Sequence, residues 1–212
     1  MEYEIIQIGN NPNNNLMIDS SFKLLKIKNA FDAEFVKNIA LKYEPDILKL
    51  PDGNIKGSKH LQDTVTVKYQ LYNAFNFPEM LFFKDIIKKI GKLYLEIHGQ
   101  ESCSFGVSSW FNIFRNEASL ENHNHIFHKD GEIDYLFAIS CCISCNSTYT
   151  VFYDPYTKES KYIENKDGEI YVFPSWVTHS TEKTNGTRIT LSADCSTKPD
   201  KFLSNRQWSR IQ

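Results

Sequence analysis

The sequence predicts a mainly β domain, a sandwich or barrel, with its helices packed on the outside. Three observations carry that prediction. From Cys103 onward, short strand-like segments recur with turn residues between them, a pattern of sandwiched or closed sheets rather than of alternating β and α units. Helical periodicity is confined to the first hundred residues. Near the end, residues 187–193 alternate, with Arg188, Thr190 and Ser192 on one face and Ile189, Leu191 and Ala193 on the other.

In chain order, residues 1–8 read as a short strand and the asparagine-rich stretch 10–15 as a surface loop. Residues 22–27 form a second strand candidate. Asn29 or Asp32 then caps a helix running to about Tyr43, with Phe35, Val36, Ile39, Ala40 and Tyr43 on its apolar face. Residues 45–60, with two prolines and little periodicity, read as loop, and 64–71 alternate as a strand. Pro78 suits the first turn of a helix; Phe83, Ile86, Ile87, Ile90, Tyr94 and Ile97 follow at helical spacing, and Gly99 stops it. That stripe reads as core packing against a sheet.

The strands beyond are expected at 103–114, around 123–125, and at 135–143, 148–153, 160–163, 169–173 and 187–193. Pro174 ends the run at 169–173 because it cannot donate to a sheet ladder, and Asn185-Gly186 reads as a hairpin-type reversal.

With 212 residues, 41% apolar, the chain has enough material for one substantial core. A net charge of −2 and the lack of any Lys/Arg block argue against a nucleic-acid substrate. No run approaches the ~18 apolar residues of a membrane span, and the first ten residues lack a signal-peptide pattern, so the expected compartment is the cytoplasm. Five cysteines, odd in number and clustered, do not form a secreted disulfide framework. Cys142 and Cys145 would point to opposite faces of a strand, so small buried thiols are the expectation there.

Chemistry concentrates in two places. His123, His125 and His128 fall within six residues, and on a strand His123 and His125 would share a face, close enough to reach one metal. A third ligand must come from elsewhere, with His179 the obvious donor. Two residues at i and i+2 plus one distant residue make a facial set that leaves positions open for substrates and oxygen. On the strand after His179, the cation Arg188 sits among small hydroxyl residues, which suits an anion-binding wall beside a metal. Nucleophile-elbow, Walker, dinucleotide and HExxH patterns are missing from the sequence.

Taken together, Trp110-Phe-Asn112, the thirteen residues from Trp110 to His123, His123-Asn-His125, Phe173-Pro-Ser-Trp176-x-x-His179 and Arg188-Ile-Thr190 resemble the 2-oxoglutarate- and Fe(II)-dependent oxygenases. The resemblance covers roughly residues 105–194 and is strongest to a small phage and bacterial branch with W-x-N, H-x-H and FPSW-x-x-H signatures. It implies a double-stranded β-helix, a cupin-like jelly-roll barrel with iron inside one end and the N-terminal helices outside. Residues 1–212 would form a single oxygenase domain, 1–100 a helical and strand support region and 101–196 the core carrying the site.

The resemblance places His123 and His179 on Fe(II), 2-oxoglutarate on the metal through its keto-acid end, and its distal carboxylate on Arg188 with help from Thr190. The partners implied are O2 and an unidentified small-molecule or peptide substrate, with hydroxylation the expected reaction. The family's usual middle ligand is a carboxylate, whereas this chain has His125 there. His128-Lys-Asp130 spells the usual pattern five residues on, and the spacing from Trp110 favours His123/His125. A three-histidine cupin-type dioxygenase that does not use 2-oxoglutarate, or a catalytically silent jelly-roll binding module, are the alternatives.

Overall fold

The structure is a computed structural model describing residues 1–8, 23–51, 64–115, 118–129, 132–134, 137–145, 147–154, 157–183 and 185–212. The loop expected at 10–15 and most of that at 45–60 lie outside the described residues. In chain order the strands and helices begin β1 (Glu2–Gln7), β2 (Lys23–Lys28), α1 (Ala33–Leu48), α2 (Leu81–Ile97) and β3 (Phe105–Phe114). Five short strands follow: β4 (Leu120–His123), β5 (Phe127–Lys129), β6 (Glu132–Asp134), β7 (Phe137–Ser144) and β8 (Tyr149–Tyr153). The chain closes with β9 (Ser160–Glu164), β10 (Ile170–Pro174), β11 (His179–Thr181), β12 (Arg188–Ser196), α3 (Pro199–Phe202) and β13 (Ser209–Ile211).

Two antiparallel sheets make the domain. The larger runs β1-β2-β10-β7-β12-β3-β13, the smaller β4-β11-β8-β9, and β5-β6 form a separate pair. Side-chain alternation divides the core in two. Ile139 and Cys141 of β7, Leu191 of β12 and Val172 of β10 face the helices, packing with Val36 of α1 and Ile87 of α2. Ala138 and Cys142 of β7 and Phe173 of β10 face the smaller sheet, meeting Phe152 of β8 and Ile163 of β9.

Helix α1 is capped by Asp32, whose carboxylate accepts the Phe35 N–H at 3.0 Å. It runs past the expected stop at Tyr43 and through Pro45. The proline forfeits an N–H bond, but the extension brings Ile47 into the core. Phe35, expected inside, is 47% exposed, because the buried stripe is Val36, Ile39, Ala40 and Ile47. Helix α2 holds its expected stripe, and Gly99 follows it with φ +64. Gly91 lets this helix approach the sheet: a Cβ there would lie 2.6 Å from the Phe105 ring.

The strand expected at 64–71 is instead a 3-10 turn over Val65–Lys68. Its alternation is misleading, since Thr66 and Lys68 are buried as well as Val65 and Val67, and Lys68 donates to the Leu50 carbonyl at 2.7 Å. The reversal expected at Asn185-Gly186 is not a hairpin: β11 belongs to the smaller sheet and β12 to the larger, so this loop crosses between sheets. Cys142 and Cys145 are the small buried thiols expected. They do not face opposite ways, because Cys145 lies just past β7 and both thiols fall in one cluster, with Cys145 Sγ donating to the Ile189 carbonyl at 3.1 Å. No described helix is long and apolar enough to cross a membrane.

Candidate metal centre

Strands β4 and β11 pair so that His123 lies opposite His179, with Phe152 of β8 on the other side of His179. His125 does not share the strand of His123, as the sequence suggested, because β4 ends at His123. Its backbone N–H instead donates to the Ser175 carbonyl at 2.7 Å. That carbonyl belongs to the turn after Pro174, which the Val177 N–H to Pro174 carbonyl bond closes. The Phe173-Pro-Ser-Trp176 stretch therefore places two histidines: His179 by leading into β11, and His125 through a main-chain bond.

Each imidazole has its Nδ1 engaged. His123 Nδ1 donates to the Glu121 carbonyl at 2.8 Å and His179 Nδ1 to the Val177 carbonyl at 3.1 Å. His125 Nδ1 lies 2.7 Å from Asp194 Oδ1. A carbonyl can only accept, so in the first two the proton sits on Nδ1 and the Nε2 lone pair is free. The Nε2 atoms of His125 and His179 are 3.4 Å apart, and one nitrogen from each of the three rings falls within 4.8 Å of the others.

Nitrogens sharing an ion at ~2.1 Å and right angles sit roughly 3 Å apart; the His125–His179 pair is close to that spacing at 3.4 Å, and the third ring has to move inward to join them. Burial, then the neighbouring His125, lowers the His123 pKa to about 4. Burial, then His123 and His125, holds His179 well below its ordinary value. Both rings are neutral at pH 7, the form that ligates.

Arg188 opens β12 beside Phe114 and is 2% exposed. It lines the same cavity as the three histidines, with Thr190, Asn112 and Ser192. Among the described residues no carboxylate pairs with it, and its Nε has no hydrogen-bond partner. Asn112 bridges β3 and β12, its amide donating to Thr190 Oγ1 at 3.1 Å and Ser192 Oγ at 2.9 Å, while its own Oδ1 lacks a partner. A buried guanidinium without a counter-ion is costly, and a carboxylate entering this cavity would relieve it. The residues thus fit both a metal ion and a carboxylate-bearing cosubstrate.

Neither Asp194 nor Arg206 has a role in the sequence-based expectations. Asp194 is 2% exposed and pairs with Arg206 as well as contacting His125. Burial would raise its pKa, but His125 and Arg206 outweigh burial and hold the carboxyl below the usual range. Its signal was present: Asp194 continues the phase of Arg188, Thr190 and Ser192 along β12. Arg206 carried no signal. Of the competing pair, Asp130 and the His128 side chain lie outside the described residues.

Fold and site together define the class: a double-stranded β-helix with a histidine cluster and an arginine in one cavity between its sheets. Solved structures of similar fold agree. The non-heme α-ketoglutarate-dependent epimerase SnoN from nogalamycin biosynthesis aligns with TM-score 0.54 and 11% identity over 80% of this chain and 76% of its own. SnoN in complex with Fe3+, α-ketoglutarate and nogalamycin RO gives 0.54 and 11% over 82% and 78%. The viral collagen prolyl hydroxylase of Paramecium Bursaria Chlorella virus-1, solved with 2-oxoglutarate, gives 0.52 and 11% over 82% and 94%. At such identity the likeness is one of fold. No protein-family model matches the chain, and no curated protein matches it in sequence.

Proposed function

We propose that the protein is a 2-oxoglutarate- and Fe(II)-dependent oxygenase, a hydroxylase acting on a small molecule or peptide. The observation that carries this reading is one cavity holding both a cluster of three imidazoles, their Nδ1 atoms engaged, and a buried arginine that no carboxylate among the described residues pairs with. His123, His125 and His179 would hold Fe(II) from one side and leave the opposite positions open. Iron bound there supplies O2 activation coupled to decarboxylation of 2-oxoglutarate to succinate and CO2, with oxidation of the substrate.

The chain's own residues do the rest. Arg188 presents paired donors to the distal carboxylate. Thr190, on the same strand face, adds a hydroxyl. Phe114 and Phe173 line the cavity with apolar surface, which keeps water from the charged pair and strengthens it. Three histidines bring no negative charge to the metal, and this favours one rival, a three-histidine dioxygenase that does not use 2-oxoglutarate.

The two readings separate in an anaerobic titration of the Fe(II)-loaded protein with 2-oxoglutarate. A weak visible charge-transfer band, saturating at one equivalent, is the expected result. A protein that binds iron yet shows no band and no 2-oxoglutarate binding would be the three-histidine dioxygenase instead.

A further inference from the structure

The three histidines are not oriented alike. His123 and His179 are held by main-chain carbonyls, those of Glu121 and Val177. His125 alone is held by a charged side chain, with Nδ1 2.7 Å from Asp194 Oδ1. That oxygen lies at ion-pair distance from Nδ1 but out of line with an N–H, and among the described residues it has no hydrogen-bond partner. Two lone pairs cannot share 2.7 Å, so the carboxylate requires the proton on Nδ1 and leaves the Nε2 lone pair free to bind a metal.

Asp194 is itself fixed. Its other oxygen pairs with Arg206, whose guanidinium lies 4.8 Å from the Tyr69 ring and 5.9 Å from the Trp110 ring. Trp110 in turn sits 6.1 Å from the His125 ring, closing the group on itself. Asp194 is anchored on β12 opposite Ser108 of β3 and Ala138 of β7, in the middle of the larger sheet. The lever on His125 is therefore a rigid one.

We propose that Asp194 is a positioning residue of the metal centre: it sets the His125 tautomer, aims Nε2 at the other two histidines, and strengthens that ring's electron donation to a bound metal. The inference rests on the metal-site reading above. A carboxylate behind a ligating imidazole raises its basicity and fixes its orientation. In a site whose three donors are all neutral, such a carboxylate delivers through one ring part of the electron donation that an anionic ligand would supply directly. Arg206 offsets the charge on the far oxygen, so Asp194 can remain buried and ionised while its near oxygen faces His125. Neither Glu121 nor Val177 can do this, because a carbonyl polarises a ring less than a carboxylate does.

Asp194→Ala and Asp194→Asn test the proposal, with Co(II) as the metal. Calorimetry should show the parent binding one Co(II), with roughly 10–100-fold weaker affinity in Asp194→Ala and a smaller loss in Asp194→Asn. Two-bond proton–nitrogen NMR correlation of the metal-free proteins should show His125 protonated on Nδ1 in the parent and shifting toward Nε2 in Asp194→Ala. His123 and His179 should keep their tautomers. In a His125→Ala background, Asp194→Ala should cost no further affinity.

Parent-like affinity with an unchanged His125 tautomer overturns the proposal. So does a loss of affinity that persists in the His125→Ala background with the tautomer unmoved, since that marks a structural role only. Should Asp194→Ala fail to fold, Asp194→Asn carries the same comparison. A parent that binds no Co(II) overturns the metal-site reading together with this inference, whereas failure of the Asp194 variants alone leaves that reading standing.

Discussion

The helix-facing side of β12 holds Ile189, Leu191, Ala193 and Cys195, each no more than 1% exposed. Its cavity-facing side holds Arg188, Thr190, Ser192 and Asp194. On the first side Ile189, Leu191, Ala193 and Cys195 belong to the helix-side apolar cluster, and burial itself is the driving force. On the second, some polar atoms are satisfied within the protein, as Asp194 Oδ2 is by Arg206, whereas among the described residues Arg188 Nε, Asn112 Oδ1 and Asp194 Oδ1 have no hydrogen-bond partner. Burying such groups unpaired is unfavourable. The difference teaches a division of labour within a single strand, in which the apolar face stabilises the fold enough for the polar face to keep buried groups unpaired.

The strongest way to break that division is at Arg188. Arg188→Ala should weaken 2-oxoglutarate binding by on the order of 2–5 kcal/mol, because the cosubstrate's carboxylate is left buried and unpaired. Iron affinity should stay close to the parent's. Calorimetry with each ligand separately decides it, and equal 2-oxoglutarate binding by both proteins would remove Arg188 from the site.

The opposite face should behave in the opposite way. Leu191→Ala empties volume in the helix-side core and should cost about 2–5 kcal/mol of stability, read as a lower urea midpoint. Metal affinity of the folded protein should be unaltered. A large loss of metal binding at unchanged stability would mean that the two faces are not separable.

A smaller effect comes from pH. His123 is held at about 4 and His179 well below its ordinary value, whereas both titrate near ~6.5 when unfolded. Below that unfolded value the unfolded chain takes up protons that the folded one refuses. Metal-free protein should therefore lose stability as the pH falls from ~6.5 toward 4, by about 1.4 kcal/mol per unit for each histidine. Asp194, held low, adds its own loss only at more acidic pH, as it falls below the unfolded value of ~3.9. Melting temperatures between pH 7 and 4.5 check the sign. A flat profile would show that the two rings are solvated.

Much of this was legible in the residues. The alternation along β12 and the helical spacing of Phe83 to Ile97 are local patterns, and both survive folding because each lies against a wide apolar surface. Residues 65–68 mimicked a strand because sequence periodicity cannot register that Thr66 and Lys68 would also be buried. His125 met the other histidines for a reason that strand parity did not contain: the Ser175 carbonyl, fifty residues away, sets its backbone. The pairing of β11 with β4 and β8 rather than with β12 is a choice of partner, and spacing alone does not encode it. Asp194 was visible in phase with Arg188 but silent until its contact with His125 gave it a role.

The central claim is that His123, His125 and His179 hold one metal whose cosubstrate reaches Arg188. A crystal structure with Mn(II) and the 2-oxoglutarate analogue N-oxalylglycine tests it most directly. The account predicts Mn(II) on the three Nε2 atoms, with the distal carboxylate of the analogue on Arg188 and Thr190. Metal density at His128 and Asp130 instead, or an analogue turned away from Arg188, would contradict it.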